Sequence, residues 1–104
     1  MMTISEIKQK ELLPGIKARF VHTNNNTIGF VELDEGAILP EHFHIHEQTT
    51  QIIEGKLEMT IGGETKILEP GMLTIIPSNV PHSARAITYC KVTDVFYPVR
   101  EDYK

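Results

Sequence analysis

The chain has one cysteine, Cys90, in 104 residues, so it can form no internal disulfide and no thiolate cluster for a metal. Any metal site must use histidine and oxygen donors. No apolar run approaches the ~20 residues needed to cross a bilayer. The opening stretch MMTISEIKQKELL places Glu6 and Glu11 where a secretion signal needs an apolar centre. A cytoplasmic protein with no membrane partner is therefore expected. The ten Lys and Arg residues are scattered and the net charge is −4, which leaves no basic surface able to release counterions from a nucleic acid. No nucleic-acid partner is expected. Repeats, low-complexity tracts and linkers are also missing, so residues 1–104 read as one domain.

What remains is an ordinary globular composition, 40% hydrophobic and 23% charged. A domain this short buries only about two-thirds of its unfolded surface, and association with a second copy would add stability. The chain reads as short apolar segments separated by Gly, Pro, Asn and Asp, which is an all-β rhythm. Residues 4–13 form a helical turn or a loose arm, stopped by Pro14-Gly15. Ile16–His22 and Ile28–Asp34 alternate as a hairpin around Thr23-Asn24-Asn25-Asn26. Leu57, Met59 and Ile61 share one strand face; Gly62-Gly63 turns the chain into 65–68, and Glu69-Pro70-Gly71 turns it into 72–76. Thr88, Cys90, Val92, Asp94 and Phe96 share a face of the last long strand, which Pro98 closes. Seven or eight antiparallel strands of this kind make a sandwich or a closed barrel, and pattern alone does not choose between them.

Three of the five histidines fall in PEHFHIHEQ, with His42, His44 and His46 spaced by two. On a strand this period puts all three on one face, with alternate Cα atoms about 6.6 Å apart. Two imidazoles at that spacing can meet one ion through metal–nitrogen bonds of about 2.1 Å. Gln48 keeps the same parity and can add an amide oxygen. A further ligand must come from His22 or His82; the stretch Pro77-Ser78-Asn79-Val80-Pro81 stiffens the chain before His82 and suits a fixed ligand, whereas His22 beside a polar turn is given no role. His46 is held as a reserve ligand. The competing reading of such a cluster is a solvated strand end that picks up metal incidentally.

These residues resemble the cupin superfamily. Its first motif, Gly, five residues, His-x-His, three or four residues, Glu, six residues, Gly, is matched by Gly36, His42, His44, Gln48 and Gly55. Its second, Gly, five residues, Pro-x-Gly, two residues, His, three residues, Asn, is matched by Gly71, Pro77, Asn79, His82 and Ala86. The resemblance implies a single-domain jelly-roll β-barrel, usually a homodimer, holding one divalent ion (Ni, Zn, Fe, Mn or Co) through His42, His44, Gln48 and His82. Three positions depart from the pattern: Gln48 for Glu, Asn79 for Gly and Ala86 for Asn. Asn79 tolerates the positive φ that glycine would supply. With Gln48, the ligand set carries no negative charge, so the ion should favour anionic oxygen ligands and Lewis-acid chemistry over oxygen activation.

PGIKARFVH at 14–22, HFHIHEQ at 42–48 and TDVFYPVRED at 93–102 are similar to the pectin-degradation cupins, which convert unsaturated uronates to a linear keto form. That resemblance implies Asp94, Phe96 and Arg100 as active-site residues and a small anionic sugar as substrate. Asp94 would move the proton, Arg100 would grip the substrate carboxylate and Phe96 would line the pocket. Asp94 paired with Arg19 or Arg85, Arg100 in a surface ion pair and Phe96 as plain core are the rival readings. A cupin dioxygenase and a non-catalytic sugar-binding module are the alternatives for the whole protein.

Overall fold

The computed structural model describes residues 1–104. Ten strands follow in order: β1 Lys10–Leu13, β2 Ile16–His22, β3 Thr27–Leu33, β4 Ile38–His42, β5 Glu47–Glu54, β6 Leu57–Ile61, β7 Glu64–Leu68, β8 Leu73–Ile76, β9 His82–Ala86 and β10 Cys90–Tyr97. They form a six-stranded sheet, β1-β2-β3-β10-β5-β8, and a four-stranded sheet, β4-β9-β6-β7. Every pairing within them is antiparallel. Short 3₁₀ turns at Ile4–Glu6 and Glu101–Tyr103 flank the strands, and no helix is long and apolar enough to cross a membrane.

The all-β expectation holds, with two sheets that face each other and no hydrogen-bonded strand pair closing them into a continuous barrel. Proline contributes to that open arrangement. The edge strand β4 contains Pro40, and the edge strands β1 and β8 are each followed directly by a proline, Pro14 and Pro77. A residue with no N–H cannot extend a ladder, so such positions suit edges.

Period-two patterning places the core. Thr27, Gly29, Val31 and Leu33 of β3 face inward, as do Leu57 and Met59 of β6 and Cys90, Val92 and Phe96 of β10. Ala84 and Ala86 supply the small side chains of β9 against this layer. The buried Cys90 thiol points at the Lys56 carbonyl, 3.1 Å away, and burial pushes its pKa up. It behaves as a small core residue.

Segment 10–13, expected to be a helical turn or an arm, is instead the edge strand β1, paired with β2 through a bulge between Glu11 and Leu13. Tertiary pairing overrides its local helical pattern. The expected strand through His42, His44 and His46 is also corrected: β4 ends at His42, residues 43–46 leave the sheet, and β5 begins at Glu47. Four residues of β4, Leu39 to His42, oppose three of β9, Ala84 to His82, so one extra residue is accommodated at Pro40-Glu41. This bulge inverts the parity of β4 and turns His42 inward beside Leu39. Asn79 takes φ 63°, as the turn before His82 requires.

Candidate metal centre

The bulge sets His42 directly opposite His82 on the β4–β9 ladder, and their rings lie 4.2 Å apart between centroids. The 43–46 loop folds over them and delivers His44, 4.9 Å from His82 and 5.7 Å from His42. One nitrogen from each of the three rings falls within 4.8 Å of the others. His46 is not in this group; its ring stands 5.5 Å from that of His44, beside the Asp102 side of the C-terminal turn. His22 also lies outside this group and bonds the Thr27 hydroxyl at 2.8 Å.

The tautomers follow from the partners. His42 Nδ1 lies 2.8 Å from the Pro40 carbonyl, His82 Nδ1 2.9 Å from the Val80 carbonyl and His44 Nδ1 3.0 Å from the His46 carbonyl. A carbonyl only accepts, so each Nδ1 carries the proton and each Nε2 presents a lone pair. His82 Nε2 is buried with no partner at all. Burial also holds the pKa of His44 down to about 4 and lowers that of His82, which disfavours the charged form of both rings. His44 Nε2 nevertheless faces Gln48 Oε1 at 3.1 Å. Two acceptors at that distance with no proton between them are repulsive, and a cation beside them removes the conflict. The donor set therefore fits a divalent ion: three imidazole lone pairs, each ring oriented by a backbone bond, and one amide oxygen.

Gln48 and Asp94 approach from the other sheet. Gln48 on β5 lies opposite Phe96 of β10, and Thr50 lies opposite Asp94. Gln48 Nε2 donates to Thr50 Oγ1 at 2.9 Å, and Thr50 Oγ1 donates to Asp94 Oδ1 at 2.7 Å. His42, Gln48, Thr50, Asp94 and Arg100 are polar walls of an otherwise largely apolar cavity of about 70 Å³ between the sheets. The surface that Asp94 retains lies in this cavity. Burial pushes its pKa up to about 6, although Thr50, Gln48 and Arg100 act in the opposite direction. Neither rival partner reaches it, since Arg19 donates to the Ile7 carbonyl and Arg85 pairs with Glu58.

Arg100 is 7% exposed and pairs with Asp102 through Nε at 3.0 Å and Nη2 at 2.7 Å. Burial works against its charge, but Asp102 outweighs it and the pKa rises. The guanidinium lies over the rings of Phe96, at 4.8 Å, and Tyr103, at 4.0 Å. The ion pair of the rival reading thus exists, with its arginine inside the protein, and only the Nη1 edge is left outside the Asp102 fork. Phe96 packs edge-on to His44 and is both core and cavity wall.

Sequence reasoning missed Thr50, Tyr103 and Thr27. Thr50 was findable, because it shares the parity of Gln48 on β5. Tyr103 carried no signal: it follows the cis Tyr97–Pro98 bond and a turn, then stacks on Phe20 at 4.4 Å between centroids. Thr27 pins that segment, because its Oγ1 accepts the backbone N–H of Arg100 at 2.8 Å. Thr27→Val keeps the shape and removes the acceptor, leaving a buried N–H unpaired. It should cost about 1–3 kcal/mol in urea unfolding and increase amide exchange at Arg100 to Tyr103; unchanged exchange there would remove the pinning role.

Comparisons with known proteins agree with this architecture. Residues 29–96 match the cupin domain family. The chain is 31% identical over 101 residues to the pectin degradation protein KdgF of Dickeya dadantii, covering 94% of this chain and 92% of that protein. The structure of KdgF from Halomonas sp. is similar with a TM-score of 0.91 at 30% identity, over 96% of this chain and 94% of that one. An RmlC-like cupin from Shewanella frigidimarina gives a TM-score of 0.94 at 25% identity, over 99% and 94% of the two chains. The chain belongs to the cupin family, as a small cupin resembling the pectin-degradation proteins.

Proposed function

We propose that this protein converts 4,5-unsaturated uronates to their linear keto form, with His42, His44, Gln48 and His82 holding a divalent ion and Asp94 moving the proton. The observation that carries the reading is Asp94: a carboxylate on an apolar inward face, joined through Thr50 to Gln48 and poised with a pKa of about 6. Burying a carboxylate costs free energy unless it is paired and hydrogen-bonded, and at Asp94 the partners do not outweigh burial; a group that titrates near neutrality serves both as proton acceptor and donor. The likeness to proteins named for pectin degradation supports the substrate class.

The net reaction moves one proton from the anomeric hydroxyl to C4, breaks the bond between C1 and the ring oxygen, and leaves an aldehyde at C1 and a ketone at C5. No oxidant is consumed. A bound divalent ion supplies Lewis-acid stabilisation of negative charge on substrate oxygen. Asp94 takes the hydroxyl proton and returns it to C4. Arg100 meets the substrate carboxylate with the edge that Asp102 leaves open. Phe96 and Tyr103 hold that guanidinium in place and exclude water from the wall.

The test is the rate at which the metal-loaded protein removes the ultraviolet absorbance of the conjugated double bond of 4,5-unsaturated galacturonate, measured against the spontaneous reaction. Acceleration that a chelator abolishes and oxygen removal leaves intact is the expected result. No acceleration with metal bound, or turnover that stops without oxygen, would overturn the proposal, the latter in favour of a dioxygenase.

A further inference from the structure

We infer that Thr50 is the positioning residue that decides which end of the Gln48 amide faces the ion. This rests on Gln48 being a ligand, and on nothing about the substrate. The two ends of an amide are nearly identical in shape, so the glutamine has no intrinsic means of choosing. The choice is passed along a chain of hydrogen bonds whose direction is set at its far end.

An ionised Asp94 accepts only. Its Oδ1 lies 2.7 Å from Thr50 Oγ1 and takes the single hydroxyl proton. Thr50 Oγ1 is then left with lone pairs and accepts from its other neighbour, the Gln48 NH₂ group at 2.9 Å. That fixes Nε2 toward Thr50 and leaves Oε1 toward the histidines, 3.1 Å from His44 Nε2. With the amide reversed, two N–H donors would face the ion and repel it, and Oε1 would meet a threonine oxygen with no proton to give. Water does not supply a substitute donor or acceptor easily, because Thr50 is 1% exposed and Gln48 6% exposed. The strand register makes the chain possible: Gln48 and Thr50 are two apart on one face of β5, and Asp94 is the cross-strand partner of Thr50.

The test uses cobalt(II) as the probe, titrated at pH 8 into the full-length metal-free protein and followed by visible absorption and calorimetry, with no substrate present. Thr50→Val preserves the shape and removes the hydroxyl, and Thr50→Ala does the same with less bulk should the valine fail to fold. Either should bind cobalt about 10–100-fold more weakly, with an altered visible spectrum. Thr50→Ser should restore affinity and spectrum. In a Gln48→Ala background the valine substitution should add no further loss, since there is no amide left to orient. Wild-type cobalt affinity and spectrum in Thr50→Val, a serine variant as weak as the valine one, or an equal loss in the Gln48→Ala background would each overturn the assignment. The readout is metal binding alone, so failure of uronate turnover leaves it standing and its failure leaves the turnover assay interpretable.

Discussion

Asp94→Asn is expected to lower kcat on the unsaturated uronate by about 10²–10⁴-fold, the usual worth of a positioned proton-transfer group, while bound metal is retained. The same substitution should make the metal-free protein more stable at pH 8. Burial raises the Asp94 pKa from an ordinary 3.8 to about 6. The unfolded chain therefore releases this proton near pH 4 and the folded protein only near pH 6. Between those values the folded state binds more protons, so stability falls as pH rises through the window, and above it the full cost of a buried carboxylate is present. That cost is of the order of 2–3 kcal/mol. Asparagine keeps an oxygen for the Thr50 hydroxyl and carries no charge, so the variant should lack this slope. His44 works in the other direction: with its pKa held near 4, its contribution is lost as pH falls from about 6.5 toward 4. Parent and variant share that loss, so the difference between their urea-unfolding curves from pH 4 to pH 8 isolates Asp94. Full turnover in the variant would remove Asp94 from the chemistry, and equal stability at pH 8 would refute the burial account.

Gly55→Ala is expected to be the most damaging glycine substitution. A Cβ on Gly55 would lie 2.1 Å from the Tyr89 carbonyl oxygen, 2.8 Å from Thr88 Oγ1 and 3.0 Å from Cys90 Sγ, on a backbone with φ +87°. Atoms do not approach to 2.1 Å, so either the 54–56 turn or the entry to β10 must move. Moving β10 displaces Asp94 and Phe96. A loss above about 4 kcal/mol is expected, which is exceptional for one methyl group. Gly36 and Gly71 provide the control: they have φ +82° and +91°, but a Cβ at either meets nothing within 4 Å. Alanine there should cost only the ~1–2 kcal/mol of a left-handed residue. Urea midpoints of the three variants make the comparison, and a Gly55 variant no worse than the Gly36 one would show that the close approach does not matter.

The fold was legible in the sequence wherever one strand face is buried. Alternation found β2, β3, β6 and β10, and Gly62-Gly63 and Glu69-Pro70-Gly71 marked the turns on either side of β7. It failed where the chain breaks period two. The bulge at Pro40-Glu41 changes which face His42 takes, and of the three histidines read as one strand only His42 is in the edge strand, while His44 and His46 lie in the loop. The three histidines that converge, His42, His44 and His82, were named through the wrong local geometry. Spacing in sequence and convergence in space agree here because the bulge and the loop together achieve what a straight strand would have done. Strand β9 was not anticipated because HSARA places two small residues inward, Ala84 and Ala86, and small side chains carry little periodic signal. The C-terminal turn was out of reach for a different reason. Arg100 and Tyr103 are held by tertiary partners, Thr27 and Phe20, that lie more than seventy residues earlier.

The division of the candidate ligands between the sheets has a mechanical side. His42 and His82 belong to the four-stranded sheet and Gln48 to the six-stranded one, and no ladder ties the two sheets together. Each imidazole is braced by a carbonyl two residues away on its own segment, so the histidine cluster keeps its aim without help from across the gap. An ion gripped from both sides would act as a rivet through two plates otherwise joined by their greased inner faces and by the loops that carry the chain from one sheet to the other. Taking the rivet out leaves each plate intact and frees that end of the sandwich to gape.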